Sequence, residues 1–362
     1  LKEVSVHHLY YWLSLCRVSP IRMAKLLEIY APHELFERVK KDEKIGALTG
    51  EAQHALLKEY ADADKLYASY DGLHKHGVQF LAFSDDAFPQ RLKQREVCPP
   101  SGLYYKGDIS LLNTTCLAIV GMRRCSHYGK ENAFKFASEL TDYNITVVSG
   151  LATGIDAFAH EAALKAGGKT IAVLGMGHAN FYPADNQKLY QRICAEGLTV
   201  GEYPPQTAAA KYTFPERNRI ISGLCDGVII VEAAVSSGAL ITADRALEQG
   251  REVFAVPGPI TSPKSAGTNA LIQKGASLLS GTQDIINYFS YKNTKIPSIL
   301  PALQLDFYEQ KVYNLLVSGE SGFDELIENS NLTASELLGV LTSMEVKDAI
   351  VRLPNNKYRV RN

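Results

Sequence analysis

The sequence predicts an α/β chain: a Rossmann-like doubly wound parallel sheet, preceded by a helical, SAM-like segment and followed by a winged helix. Three observations predict it. From about 115 to 285, short β-rich apolar runs alternate with amphipathic helical stretches, the pattern of a parallel sheet covered on both faces. Residues 1–75 show helical spacing alone, and a proline-bearing polar stretch sets off a last segment of three short helices and a hairpin. The length of 362 residues fits two or three domains at about 150 residues each.

In residues 1–75, Leu9, Leu13 and Cys16, then Met23, Leu26, Leu27 and Tyr30, recur at spacings of three and four. Val18-Ser19-Pro20 interrupts them as a helix–helix turn. The turn faintly resembles a helix-hairpin-helix, but Ser19 and Pro20 stand where a glycine would let the backbone approach a phosphate, and a packing domain is expected. Residues 76–288 carry the sheet. The strands read are Cys116–Val120, Thr146–Ser149, Thr170–Leu174, Leu198–Gly201, Val228–Glu232 and Val253–Val256. The helices read are one after Gly129, then Ile155–Ala166, Asp185–Ala195, Pro215–Leu224 and Ser237–Gln249. Residues 289–304 read as a linker. In residues 305–362, helices are expected at Phe307–Val317, Phe323–Asn329 and Ala334–Met344, then strands Ala349–Leu353 and Tyr358–Val360 around a Pro354-Asn-Asn turn.

The formal net charge of −1 excludes a polybasic protein that grips nucleic acid by bulk charge, so any polyanion site is a local patch. The six cysteines are scattered without a C-x-x-C, which argues for reduced thiols in a cytoplasmic protein rather than a disulfide framework or zinc ribbon. The apolar run Leu9–Cys16 is far shorter than the roughly 20 residues that span a bilayer, and it lacks the flanks of a signal peptide. No membrane insertion is expected.

In doubly wound sheets, ligands sit at the carboxyl ends of the strands, so the loops after the strands carry the chemistry. After the first strand, Gly121 permits close backbone approach and leads through Arg123, Arg124 and Ser126 to a helix whose N-terminal amides favour an anion. The only other glycine there is Gly129, so the G-x-G-x-x-G of a dinucleotide site is missing. The second strand ends in Ser149-Gly150-Leu-Ala-Thr-Gly-Ile-Asp156, with His160 four residues on. An Asp156–His160 dyad and a helix-capping Asp bonded to His160 both fit that spacing, and the second is preferred because no nucleophile accompanies them. Glycines after the third strand precede Phe181-Tyr182-Pro183, aromatics that stack bases or seal a core edge. Phe214-Pro-Glu-Arg217-Asn218-Arg219 gathers two guanidinium groups and an amide at a helix start, where pairing with Glu216 is the bland alternative. Ser237-Gly238 opens the next helix. Small polar loops converging on one sheet edge suit a phosphate-bearing chain. The terminal module has no Lys or Arg from Val312 to Val346 and reads as a protein-contact domain before a duplex reader.

The ordered motifs Ala118-Ile-Val-Gly-Met-Arg-Arg-Cys-Ser-His-Tyr-Gly, Ser149-Gly-Leu-Ala-Thr-Gly-Ile-Asp, Ile171-Ala-Val-Leu-Gly-Met-Gly with Tyr182-Pro, Phe214-Pro-Glu-Arg-Asn-Arg-Ile-Ile and Pro257-Gly258 resemble the bacterial DNA-processing protein A family, from about 80 to 285. The resemblance implies a cytoplasmic, homodimeric protein of natural transformation. Such a protein binds and shields incoming single-stranded DNA and loads the RecA recombinase onto it, and it is not an enzyme. It implies no catalytic residue, metal or cofactor. It places the family's DNA-contacting arginine on Arg123 and its arginine-asparagine-arginine helix start on Arg217, Asn218 and Arg219; with the loop residues read above, the expected DNA-binding set is Gly121, Arg123, Arg124, Ser126, Ser149, Gly150, Phe214, Arg217, Asn218, Arg219, Ser237 and Gly238. Three positions depart from the family's habit: Met122 replaces a serine, and Thr153 and Ala184 stand where basic residues are frequent. Lys211, Lys188 and Lys264 are candidates to compensate. The alternative function is a nucleotide-processing enzyme of the phosphoribohydrolase type, whose Pro-Gly-Gly-x-Gly-Thr-x-x-Glu motif is split here between Pro257-Gly258 and Gly267-Thr268, with Leu271 in place of the catalytic Glu. A nicotinamide dehydrogenase shares only the fold.

Overall fold

The computed structural model describes residues 4–43, 45, 50–291, 305–317, 319–347, 349–353 and 356–360. The chain divides into two compact units, Leu1–Ile296 and Pro297–Asn362. The first begins with helices α1 (Val6–Leu15), α2 (Pro20–Ile29), α3 (Pro32–Lys40), α4 (Glu51–Glu59) and α5 (Ala63–Lys75). Pro20 and Pro32 sit in the first helical turns, where a missing N–H costs nothing. The single tryptophan, Trp12, is fully buried, donates to the Leu57 carbonyl and meets the Phe36 ring edge-on.

Nine strands follow in one sheet: β1 (Gln79–Ala82), β2 (Gly102–Gly107), β3 (Cys116–Val120), β4 (Thr146–Ser149), β5 (Thr170–Leu174), β6 (Leu198–Gly201), β7 (Gly227–Ile230), β8 (Glu252–Ala255) and β9 (Ser277–Leu278). Between them lie α6 (His127–Thr141), α7 (Ile155–Lys165), α8 (Gln187–Glu196), α9 (Thr213–Gly223), α10 (Gly238–Glu248), α11 (Ala266–Gln273) and α12 (Thr282–Phe289). The spatial order is β1-β2-β6-β5-β4-β3-β7-β8-β9. The run from β6 to β9 is parallel, and β2 and β1 add to it antiparallel. Along β3, Cys116, Ala118 and Val120 enter one core while Leu117 and Ile119 enter the core of the opposite face, so the strand is apolar at every position. This is the expected doubly wound sheet, with β1, β2 and β9 as strands the sequence reading did not contain. The helical front shares one core with Phe80, Ala82 and Tyr104 of β1 and β2, so the boundary expected at 75/76 runs through a single hydrophobic cluster.

The order reverses between β3 and β7: the chain winds from β3 outward through β4, β5 and β6, then returns to β7 on the other side. The crevice outside the carboxyl ends of β3 and β7 is therefore where the fold opens a ligand site.

The second unit contains α13 (Phe307–Val317), β10 (Ser321–Gly322), α14 (Phe323–Ser330), α15 (Ala334–Val346), β11 (Ile350–Leu353) and β12 (Lys357–Val360), with strand order β10-β12-β11. Val312, Leu326, Leu337, Leu341, Ile350 and Tyr358 form its core. This is the expected winged helix, with β10 added. The expected linker from 292 on, residues 354 and 355 of the turn, and Arg361 lie outside the described residues.

Candidate nucleic-acid interface

A cavity of about 840 Å³ opens at the switch point. Its first wall is the loop after β3. That loop lies against the start of α7, so a Cβ on Gly121 would stand 2.7 Å from Ile155 Cγ1. Gly154, at φ +83°, passes so close to the carbonyls of Met122 and Arg123 that a Cβ would stand 2.4 Å from each oxygen. Backbone bonds from Met122 N to Glu232 O (2.9 Å) and from Ile155 N to Met122 O (3.2 Å) fix the loop from both sides. Arg123 and Arg124 are then left exposed on the rim.

The second wall is α9. Phe214, Arg217, Asn218 and Ile221 stand at i, i+3, i+4 and i+7 and all line the crevice. The Arg123 guanidinium carbon lies 5.5 Å from the centroid of the half-buried Phe214 ring, a cation–π distance. Tyr182, 52% exposed, stands 6.2 Å from Phe214 between ring centroids. Lys211 is exposed on the segment leading into α9, and Ser237, Gly238 and Thr242 of α10 complete the opening. No ion pair of Arg123, Arg124 or Lys211 with a carboxylate occurs among the described residues.

The floor holds two buried opposite charges, Arg217 and Asp156, that influence one another without a direct ion pair. The Arg217 side chain is buried, with Nη1 donating to the carbonyls of Gly150 (2.7 Å) and Val173, and Nε donating to Asn218 Oδ1 (3.2 Å). Burial lowers its pKa to about 10, opposed by the neighbouring Asp156 carboxylate and reinforced by the charge of Arg123. Asp156 accepts from the amides of Gly150 (3.1 Å), Ala152 and Gly121. Burial raises its pKa, against the pull of Arg217 and those amides.

Several of the expected contact residues already have partners inside the protein. Arg217 faces the crevice, but its guanidinium is committed to two carbonyls, so it supplies positive charge from beneath rather than a free fork for phosphate. Arg219, about 200° further round the helix, points away and pairs with the buried Glu202 at 2.5 Å. Ser126 is engaged within the protein. It caps α6, and its amide and hydroxyl donate to the buried Glu232 carboxylate at 2.7 and 2.6 Å. Ser149 donates to the Ile119 carbonyl at 2.6 Å in the core, and Gly150 lies under Arg217, with a Cβ position 2.5 Å from its Nη2. Ser126, Ser149, Gly150 and Arg219 do not line the crevice, whereas Gly121, Arg123, Arg124, Phe214, Arg217, Asn218, Ser237 and Gly238 do.

His160 does not bond to Asp156, contrary to the preferred sequence reading. The Thr170 hydroxyl donates to the Val147 carbonyl (2.7 Å), so its oxygen accepts the proton of His160 Nδ1 (2.6 Å). Burial and the charge of Arg217 hold the imidazole pKa at about 3, which keeps the ring neutral. No catalytic dyad forms here. Among the described residues, no three His, Cys, Asp or Glu side chains gather to hold a metal ion.

The sequence reading missed Glu232 as an internal anion, and gave Asp156 the wrong partner. Asp156 fills the amide nest where β3 and β4 end, and Glu232 fills the N-terminus of α6. Both positions are where a nucleotide phosphate would otherwise sit. A carboxylate at the end of an apolar strand (Glu232) and another at the first turn after a glycine-rich loop (Asp156) were the available signals. The crevice that remains is lined by exposed cations and aromatic rings.

Residues 79–290 match the family model for DNA recombination-mediator protein A, and residues 300–356 match the DprA winged helix domain. The DNA processing protein DprA of Bacillus subtilis is 36% identical over 293 residues, 78% of this chain and 96% of that protein. That of Streptococcus pneumoniae is 44% identical over 229 residues, 62% of this chain and 80% of that protein. The X-ray structure of the Streptococcus pneumoniae protein superimposes with a TM-score of 0.65 at 37% identity, covering 78% of this chain and 98% of that one. The Helicobacter pylori DNA processing protein A, whose single-stranded DNA binding mode has been described structurally, superimposes with a TM-score of 0.53 at 35% identity, covering 59% of this chain and 97% of that one. Among the described residues, no helix is long and apolar enough to cross a membrane. With a family model spanning the whole sheet and a second on the terminal unit, the chain belongs to the DNA recombination-mediator protein A family.

Proposed function

We propose that this chain binds single-stranded DNA along the rim of the switch-point crevice, shields it, and presents it to the RecA recombinase during natural transformation. The observation that carries the reading is the exposed Arg123 guanidinium over the Phe214 ring, beside Tyr182 and Lys211, above a crevice whose nucleotide-type anion nests are already filled by Asp156 and Glu232. Cations of this kind neutralise a polyphosphate backbone. The rings offer stacking faces that every base can use, and only unpaired bases expose their own faces. A duplex buries those faces, so preference for single strands follows from the rim itself.

The chain acts without catalysis in this reading. The phosphoribohydrolase alternative requires a carboxylate where Leu271 stands, and that side chain is packed into the core beneath α11. The helical front, the sheet and the winged helix act together in a cytoplasmic homodimer. Apolar side chains that a partner copy can cover include Val235, Leu247, Ile260 and Leu278. The test is fluorescence anisotropy of a labelled oligothymidine with the wild type and Arg123→Glu. The reading expects loss of at least tenfold in affinity with an unchanged fold by circular dichroism, about the value of one charge-assisted hydrogen bond. Equal affinities would remove its basis.

A further inference from the structure

Between the helical front and the start of α9 lies a second cavity, of about 190 Å³, lined by Arg17 and Ser19 on one side and by Glu202, Thr207, Tyr212 and Glu216 on the other. It backs onto the DNA crevice through a single helical turn. Tyr212 and Glu216 face the small cavity, whereas Phe214, Arg217 and Asn218 face the large one. The loop from Glu202 to Tyr212 forms the partition, and its last residues, Ala209, Ala210 and Lys211, line the crevice.

That loop is held at Thr207. The Thr207 carbonyl accepts from Gly177 N at 2.9 Å, its amide donates to Pro204 O at 2.9 Å, and its buried hydroxyl accepts from Arg17 Nη2 at 2.8 Å. Gly177 must be glycine here, since a Cβ would stand 2.2 Å from the Pro204 oxygen. The first two bonds come from within the sheet domain, but the third crosses from the end of α1, 190 residues away in sequence. Arg17 stands just past the C-cap of α1 at φ +49°, the left-handed conformation in which helices commonly end, between the buried Cys16 and Val18.

We propose that Arg17 is a positioning residue for the DNA crevice: through Thr207 the helical front holds the Glu202–Tyr212 loop, and so sets where Lys211 and the Phe214 turn stand. This rests on the single-strand reading of the crevice. Arg17 lines the cavity behind the partition and is not among the residues lining the crevice, so its effect is on geometry and not on the number of phosphates neutralised.

The experiment uses the full chain with Arg17→Ala, Thr207→Val and the double variant, and two readouts. The first is Kd for labelled oligothymidine across a potassium chloride series. Thr207→Val is expected to weaken binding by about tenfold, the loss of one hydrogen bond to a charged group, Arg17→Ala by at least as much, and the double variant by no more than Arg17→Ala alone. The slope of log K against log salt is expected to stay at the wild-type value, whereas loss of a direct phosphate contact lowers it by about 0.7. The second readout needs no DNA: the rate of tryptic cleavage after the exposed Lys211 is expected to rise in both single variants. Unchanged cleavage, additive losses in the double variant, or a reduced salt slope would each overturn the proposal. If the wild type fails to bind the oligonucleotide, the single-strand reading fails, and the cleavage rates still decide whether Arg17 holds the loop. Thr207→Val guards against a fold defect peculiar to Arg17→Ala, because it removes only the hydroxyl.

Discussion

Replacing Arg217 with methionine keeps most of the side-chain volume and removes the charge that offsets Asp156 beneath the crevice. The structure sets the size of the loss. Two hydrogen bonds from a charged donor to the Gly150 and Val173 carbonyls disappear, at about 1.5–3 kcal/mol each. Asp156 loses its nearby countercharge while keeping its three amide donors, so the further cost falls at or below the lower end of the about 3–5 kcal/mol for breaking a buried pair. The contributions overlap, so a total near 4 kcal/mol is a fair expectation, a large part of an ordinary domain's stability. Asn at position 156 removes the stranded charge, so Arg217→Met/Asp156→Asn is expected to be more stable than the sum of the single losses by about 1.5 kcal/mol or more. Acid distinguishes the variants further. The folded-state pKa of Asp156 is already raised by burial, and removing Arg217 raises it again. A raised carboxylate gives stability that is present below its unfolded pKa and lost as pH rises through the folded pKa, so Arg217→Met regains stability as pH falls from 7.5 toward 5. Urea denaturation of the four proteins at both pH values measures all of this. Additive single losses, or an Arg217→Met midpoint that is independent of pH beyond the wild type's own dependence, would refute the buried-pair account.

Further perturbations separate charge, stacking and structure. Arg123→Ala is expected to weaken oligothymidine binding roughly 10- to 100-fold, from about 1.5–3 kcal/mol, and to lower the salt slope by about 0.7, read by anisotropy at several salt concentrations. Phe214→Leu is expected to cost about 1–3 kcal/mol of binding with no change in that slope, since stacking releases no counterions. Glu232→Gln is expected to lower the thermal midpoint of the sheet unit, because a neutral amide replaces the carboxylate that receives the Ser126 amide and hydroxyl, a loss of about 1–2 kcal/mol. In the winged helix, burial pushes the Glu309 pKa up, but Lys347, the Ser343 hydroxyl and the Asp306 amide together hold it below its usual value. Its stabilisation is present above the unfolded pKa and lost as pH falls through the folded one, so acid denaturation of this unit is expected to be shallower in Glu309→Gln, read by circular dichroism.

The strands from β3 to β8 were legible because both their faces are buried, which leaves mostly apolar runs whose length of four or five residues and β-branched content mark them as strands rather than helices. β1 and β2 were not legible. Gln79–Ala82 contains no β-branched residue, and Gly102–Gly107 carries glycine at both ends, so neither shows a strand pattern of its own and each is defined by antiparallel pairing. β9 has two residues and exists only as a pair with β8. At the site, glycine and serine spacing located the loops, and Arg123 and Phe214 line the crevice. The direction of the α9 arginines was partly legible: two residues apart on a helix is about 200°, so Arg217 and Arg219 cannot share a face. What no local pattern supplies is the long-range pairing, Arg217 with the Gly150 carbonyl, Ser126 with Glu232 and Arg17 with Thr207. These contacts join segments that only the sheet brings together, and they decide which polar groups are free to meet a ligand.

The central claim is that an unpaired polynucleotide lies along the rim built by Arg123, Arg124 and Lys211. Protection of arginine and lysine side chains from chemical modification on adding oligothymidine tests it most directly. The account predicts that those three become protected together while Lys357, on the terminal unit, keeps its reactivity. Full reactivity of Arg123 in the saturated complex would contradict it.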